Sequence, residues 1–270
     1  MERVHPSPTP QSPPPAPPRG SSPQSLPVHL FDLDGVITPT AEIHMAAWAE
    51  MFSEFLSSRG IAEPYTDDDY FAHVDGRPRY DGVREMLASR GITLPEGASE
   101  DPADQAEGAE TIRGLGNRKN DRVLELIRRD GVAPYPGTVA YLDALPGAAR
   151  LAVVSSSRNA EEVLVGAGLR ERFEVVVDGN VAEHEGLPGK PAPDTFVHAA
   201  RRLGSEPTDA VVYEDAVSGV RAGAAGGFGA VVGVDRGAGR EALASAGADL
   251  VVEDLDQLIP NPPVPSEERA

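Results

Sequence analysis

Five short apolar runs separated by helix-length stretches constrain this chain more than any other feature. Val28-His29-Leu30-Phe31 is the first, and residues 151–154, 173–177, 210–213 and 230–234 repeat the pattern, with Gly168, Gly204 and Gly226 ending the helical stretches between the later runs. Apolar runs of four or five residues that alternate with helices fit strands covered on both faces. They therefore predict an α/β fold with a doubly wound, Rossmann-like parallel sheet.

One segment breaks this rhythm. Residues 40–60 carry Ile43, Ala47, Met51 and Phe55 at helical spacing, with Trp48, Phe52 and Leu56 beside them; Thr40 suits the helix cap and Gly60 the stop. Further helical patterns follow at residues 80–90 and 117–129, with no strand among them. An all-helical cap inserted at residues 41–130 is the economical reading, leaving an α/β core of residues 28–40 and 131–259. Such an insertion lies over the carboxyl ends of the strands, where open α/β sheets bind ligands. Within it, residues 95–110 hold six acids and no base, which reads as an exposed loop.

The ends have a different composition. Ten of the 26 prolines fall in residues 1–27, and Pro260, Pro262, Pro263 and Pro265 give residues 260–270 the same character. Proline lacks an amide donor and fixes φ, so both ends read as disordered, solvated arms. An interaction role would use residues 12–19 as a ligand for an aromatic-groove domain.

Charge narrows the partners. With 24 Lys+Arg against 43 Asp+Glu, the net charge of −19 opposes binding to nucleic acid and to anionic membrane surfaces. An anionic substrate must then be held by local cations or a metal. The absence of cysteine removes disulfides, thiolate metal sites and cysteine nucleophiles. No apolar run approaches the roughly 18 to 20 residues of a membrane span, and prolines interrupt any leader-like apolar core. A cytoplasmic protein is expected.

Four groups of polar residues fall at expected strand ends. Asp32-Leu33-Asp34-Gly35 puts two carboxylates at the first, on one side if the strand stays extended and apart if the chain turns at Gly35. It also fits a plain acidic turn. Ser155-Ser156-Ser157 and Asn159 offer hydroxyls and free amides that suit a phosphate oxygen, or simple helix capping. Lys190 sits in Gly189-Lys190-Pro191-Ala192-Pro193-Asp194, which is no nucleotide P-loop because Pro191 follows Gly-Lys. Glu214-Asp215 could hold a hard cation such as Mg²⁺, or start a helix with acids. Together they supply a nucleophile, anion-binding groups and metal ligands in one place.

These residues resemble the haloacid dehalogenase superfamily of phosphohydrolases, and within it the β-phosphoglucomutase-like group. Residues 31–38, Thr40-Ala41-Glu42 with His44, Arg118-Lys119-Asn120-Asp121, Tyr135-Pro136-Gly137, Lys190-Pro191-Ala192-Pro193-Asp194 and Glu214-Asp215 match that group in order and spacing. The resemblance implies that Asp32 is a nucleophile forming an aspartyl phosphate and that Asp34 is a general acid/base. It assigns Mg²⁺ to Asp32, the Asp34 carbonyl, Glu214 and Asp215, and the transferring phosphoryl group to Ser155, Ser156 and Lys190. Thr40 and His44 would lie at the hinge of the cap. Arg79 would grip a distal phosphate, and Arg158 and Asn159 count with these residues as substrate or cap positions. The other readings are an ordinary helix histidine for His44 and a core position for Trp48. The implied activity interconverts β-glucose 1-phosphate and glucose 6-phosphate, the alternative being a sugar-phosphate phosphatase. Three positions depart from the group: Pro39 replaces an acid, Arg158 a lysine, and Asp75 a cap lysine.

Overall fold

A computed structural model describes residues 23–98, 100–104 and 110–260. Six strands form one sheet: β1 (Val28–Phe31), β2 (Arg150–Val154), β3 (Val175–Val177), β4 (Ala210–Glu214), β5 (Ala230–Val234) and β6 (Leu250–Val252). Their spatial order is β3-β2-β1-β4-β5-β6 and every pairing is parallel. The doubly wound sheet expected from the alternation is therefore present.

Side-chain period two sorts each strand between the faces. On β1, Val28 and Leu30 join Phe196, Ala199 and Ala200 of α8 (Asp194–Arg202), whereas Phe31 packs with Tyr141 and Leu142 of α5 (Pro136–Ala144) and Val163 and Leu164 of α6 (Ala160–Gly166). α9 (Val217–Ala225) and α10 (Arg240–Ala246) cover the β5 end through Val220 and Leu243. The short α7 (Gly179–Glu185) follows β3, its Asp178 cap accepting from the amides of Asn180 and Val181 at 3.0 and 2.9 Å.

Between β1 and α5 the described residues contain helices and no strand: α1 (Thr40–Ser58), α2 (Asp67–Asp69), a π-helical turn (Tyr70–Val74), α3 (Arg79–Ser89) and α4 (Ile112–Asp130). They share a hydrophobic cluster of their own, including Trp48, Phe52, Phe55, Met86 and Leu115. Each such buried side chain is worth about 1.5–3 kcal/mol. Among the described residues no helix is long and apolar enough to cross a membrane.

Four local expectations are corrected. β6 had no signal in the sequence, being three residues long and opening on the exposed Leu250; its pairing with β5 makes it a strand. β3 starts at Val175, because Phe173 closes a 3-10 turn with its amide on the Arg170 carbonyl at 3.2 Å. The N-terminal arm stops being solvated before Pro27: Pro23–Ser25 forms a 3-10 turn and Leu26 packs in the cluster of Phe31, since its apolar side chain meets a ready-made core. Finally, Thr40 does not cap α1. Pro39 holds that position, and the Thr40 hydroxyl is committed elsewhere. Residues 1–22, including the interaction segment 12–19, and residues 261–270 lie outside the described residues.

Candidate active site

β1 and β4 are neighbours at the point where strand order reverses, so the residues following them converge. The Asp32 amide donates to the Tyr213 carbonyl at 2.9 Å, keeping the chain beyond β1 in register with the end of β4. Gly35 then turns at φ +90°. A Cβ there would stand 1.8 Å from Asp215 Oδ2, so only glycine fits both the turn and the carboxylate behind it. Gly219 of α9 does the same for Glu214, whose Oε1 lies where its Cβ would be, at 1.7 Å.

Asp32, Glu214 and Asp215 are all buried and offer oxygens within 4.8 Å of one another. Lys190 contacts Asp32 Oδ1, lies 2.6 Å from Glu214 Oε1, and donates to the Val154 carbonyl at 3.1 Å. The second Glu214 oxygen accepts from the Ala216 amide at 3.0 Å. Burial pushes the Asp32 carboxyl well up, and Lys190 opposes this while Glu214 and Asp34 reinforce it. Burial alone would pull Lys190 down, but Asp32 and Glu214 outweigh it and leave the lysine raised and charged. Asp215 is also pushed up, by burial and then by Asp75 and Glu214. Among the described residues no hydrogen bond reaches its carboxylate. One lysine against three buried carboxylates leaves uncompensated negative charge on hard oxygen donors, a set that fits a small divalent cation.

Asp34 has different company. Its Oδ1 accepts from the Thr40 hydroxyl at 2.5 Å and its Oδ2 from Ser155 at 3.2 Å; the hydroxyls of Thr38 and Thr40 are 2.8 Å apart. His44 Nε2 stands 3.7 Å from Asp34 Oδ1 while its Nδ1 meets Lys119 Nζ at 2.8 Å. Burial, then Lys119, lower the His44 pKa to about 4, so at neutral pH the imidazole is uncharged and pairs no ion with Asp34. Lys119 is buried too, its Nζ 4.8 Å from the centre of the Trp48 ring, and burial and then Arg79 pull its pKa well down. Trp48 is thus both a cap core residue and part of the cavity wall.

The cap meets the core through polar contacts. Ser156 Oγ donates to the Gly76 carbonyl and Ser218 Oγ to the Asp75 carbonyl, each at 3.0 Å. Arg79 Nη2 and Asn159 Nδ2 both donate to Asn120 Oδ1, at 2.6 and 2.9 Å. Asn159 therefore precedes α6 without capping it through its side chain, because the cap's Asn120 holds its amide. Arg158 pairs with Glu183 at 2.6 Å and stands 5.4 Å from the Tyr80 ring centre. The enclosed cavity is about 70 Å³, lined by Asp32, Asp34, His44, Asp75, Arg79 and Lys119 among others. Small-molecule pockets begin near ~300 Å³, so the cap and core leave less room here than a typical small-molecule pocket.

A family model for haloacid dehalogenase-like hydrolases matches residues 28–227. The chain belongs to the haloacid dehalogenase-like hydrolase family. A β-phosphoglucomutase of Mycobacterium bovis is 46% identical over 248 residues, spanning 88% of this chain and 93% of its own length. The fructose-1-phosphate phosphatase of Escherichia coli is 32% identical over 204 residues, with coverage of 75% and 93%. Among solved structures, CbbY from Rhodobacter sphaeroides in complex with phosphate aligns with a TM-score of 0.65 at 25% identity over 86% of this chain and 96% of that one. β-Phosphoglucomutase from Clostridium difficile shares the fold, with a TM-score of 0.67 at 24% identity over 86% and 93%. Within the haloacid dehalogenase-like family the chain falls in the β-phosphoglucomutase-like group, as a phosphomutase or a phosphatase.

Three residues of this haloacid dehalogenase-like site were not singled out from sequence as site residues. Lys119 carried a signal: it lies four residues from both Leu115 and Val123, each fully buried, so a lysine occupies an apolar stripe of α4. Tyr70 and Arg77, which also line the cavity, carried none.

Proposed function

We propose that this chain transfers a phosphoryl group on a small sugar phosphate through an aspartyl phosphate at Asp32, acting as a β-phosphoglucomutase on β-glucose 1-phosphate and glucose 6-phosphate. The observation that carries the reading is the pairing of a buried carboxylate, Asp32, with the buried Lys190 beside a second carboxylate, Asp34, held by two hydroxyls. The relative named β-phosphoglucomutase, at 46% identity across most of both chains, supports the choice of reaction.

An Asp32 oxygen attacks phosphorus as the bond to the leaving sugar oxygen breaks, and Asp34 gives that oxygen a proton. In the return step a hydroxyl of the bound sugar attacks the phosphoryl group. Asp34 takes its proton, and the Asp32 oxygen leaves as carboxylate. Lys190, Ser155 and Ser156 would hold the phosphoryl oxygens, and Thr40 and Ser155 fix the aim of Asp34. Asp32, the Asp34 carbonyl, Glu214 and Asp215 would hold Mg²⁺, which when bound offsets the repulsion between a carboxylate nucleophile and an anionic phosphate. Arg79, held on Asn120 with Asn159, would receive the distal phosphate of a bisphosphate.

Asp75 favours a second reading, a sugar-phosphate phosphatase, because it places an anion in the cavity where a bisphosphate needs cations. Phosphorus NMR separates the two. β-Glucose 1-phosphate with a trace of the 1,6-bisphosphate should give mainly glucose 6-phosphate. Inorganic phosphate appearing as fast as substrate disappears overturns the mutase in favour of the phosphatase, and no turnover of any sugar phosphate overturns both.

A further inference from the structure

The acidic cluster of the core has a neighbour on the cap. Asp75 follows the π-helical turn, and its backbone is strapped to the segment just after Asp215: Ser218 Oγ bonds the Asp75 carbonyl and Ser156 Oγ the Gly76 carbonyl, each at 3.0 Å. The strap lies so close that a Cβ on Gly76 would stand 2.2 Å from Ser218 Oγ and 2.8 Å from Ala216 Cβ, at a φ of +67° that glycine tolerates. The half-buried Asp75 side chain lines the same cavity as Asp32, Glu214 and Asp215.

Charge agrees with position. Asp75 shares the cavity wall with Asp32, Glu214 and Asp215, so its carboxylate adds a negative charge to theirs. Asp215, nine-tenths buried, has no hydrogen bond to its carboxylate among the described residues. A fourth carboxylate thus lines the cavity of the other three, of which Lys190 pairs with Asp32 and Glu214.

We propose that Asp75 couples cap closure to the divalent cation of the core, its carboxylate strengthening cation binding when the strap docks on Ser156 and Ser218. This rests on the cation reading of Asp32, Glu214 and Asp215 given above. Coupling of this kind is reciprocal: whatever factor closure adds to cation affinity, the cation adds to closure. A cap that closes on an empty cluster meets the repulsion of four carboxylates, so the chain closes loaded. Asp75 acts here as a positioning residue for the cap and touches no reacting atom.

The test uses Mn²⁺ as probe, with free Mn²⁺ read by electron paramagnetic resonance on the full chain without substrate. Asp75→Asn removes one charge at nearly constant volume and should weaken Mn²⁺ binding on the order of tenfold. Ser218→Ala keeps every charge but frees the strap, and should weaken binding in the same direction, by about threefold or more. Trp48 is the chain's one tryptophan and stands in the cavity wall, so its emission reports closure. Mg²⁺ should shift that emission in wild type and much less in Asp75→Asn. Wild-type binding combined with variant affinities within twofold and an unchanged emission response overturns the role of Asp75 alone. A wild type that binds no Mn²⁺ overturns the cation reading as well. Should Asp75→Asn fail to fold, as judged by its melt in chelator, Ser218→Ala decides the matter by itself.

Discussion

Replacing His29 with leucine should flatten the dependence of stability on pH. His29 lies on β1 with its side chain fully buried, its Nδ1 2.8 Å from the Tyr213 hydroxyl, which is 2.5 Å from that of Tyr141. Burial lowers its pKa from 6.5 to about 4, against a weaker opposing pull from the Leu26 backbone. In the unfolded chain the imidazole takes up a proton near pH 6.5; in the folded chain it does so only near 4. Stability is therefore whole above the higher value and falls as the pH drops between them. The full loss is about 3–4 kcal/mol, from roughly 2.5 pKa units at about 1.4 kcal/mol each, and about 3 of it falls above pH 4. Urea unfolding at a series of pH values from 7 to 4, in chelator, gives the slope for wild type and for His29→Leu. His44 titrates in the same window, and the raised carboxyls of Asp32 and Asp215 act with the opposite sign, but all three are common to both proteins and cancel in the difference. The variant should lose about 3 kcal/mol less across this range. Parallel curves would show that His29 is protonated inside the fold, and the reasoning from burial would be wrong.

Two further substitutions address the site. Asp32→Asn keeps the size but removes the proposed nucleophile, so turnover of any phosphate ester should fall by about a thousandfold or more while the melting temperature holds; an active variant would displace Asp32 from its role. Gly219→Ala drives a methyl to within 1.7 Å of Glu214 Oε1, so Glu214 must leave Lys190, and kcat/KM should fall by about tenfold or more with an overpacking cost of about 1–3 kcal/mol in urea. Wild-type kinetics in that variant would show that the Glu214 contact with Lys190 is dispensable.

Local pattern carried far into this fold and stopped at predictable places. The apolar runs gave the sheet because a strand covered on both faces needs nothing from its neighbours to look apolar; Val28 and Leu30 turn to one layer and Phe31 to the other as period two requires. That β1 lies beside β4, setting Asp32 against Glu214 and Asp215, depends on strand order, which no single run encodes. Thr40 and Asn159 show the limit most clearly. Each stands where a helix begins and has a side chain suited to capping, yet Thr40 bonds Asp34 and Asn159 bonds Asn120, because a partner brought in from elsewhere in the fold competes for the same hydroxyl or amide. Arg158 is similar: a guanidinium beside the serine cluster bonds Glu183 on α7, a residue the linear sequence places 25 positions away.

The division between core and cap follows from the kinds of contact each makes. Asp32, Asp34, Ser155, Lys190 and Glu214 sit at or just beyond the ends of sheet strands or packed against them, where register and burial fix a carboxylate to a definite spot. The cap has an apolar cluster of its own, from Trp48 to Leu115, and meets the core through Ser156, Ser218, the Asn120 and Asn159 amides and the ion pair of Arg113 with Glu183. Water can replace contacts of that kind at little net cost, whereas it cannot replace an apolar core. Parting cap and core would therefore leave both clusters largely intact and break mainly polar contacts, together with the packing of Ile127 of α4 on the core cluster. Arg79 and Asp75 belong to the cap, whereas Asp32, Asp34, Ser155, Lys190 and Glu214 belong to the core, so the reaction proposed above divides its residues between the two.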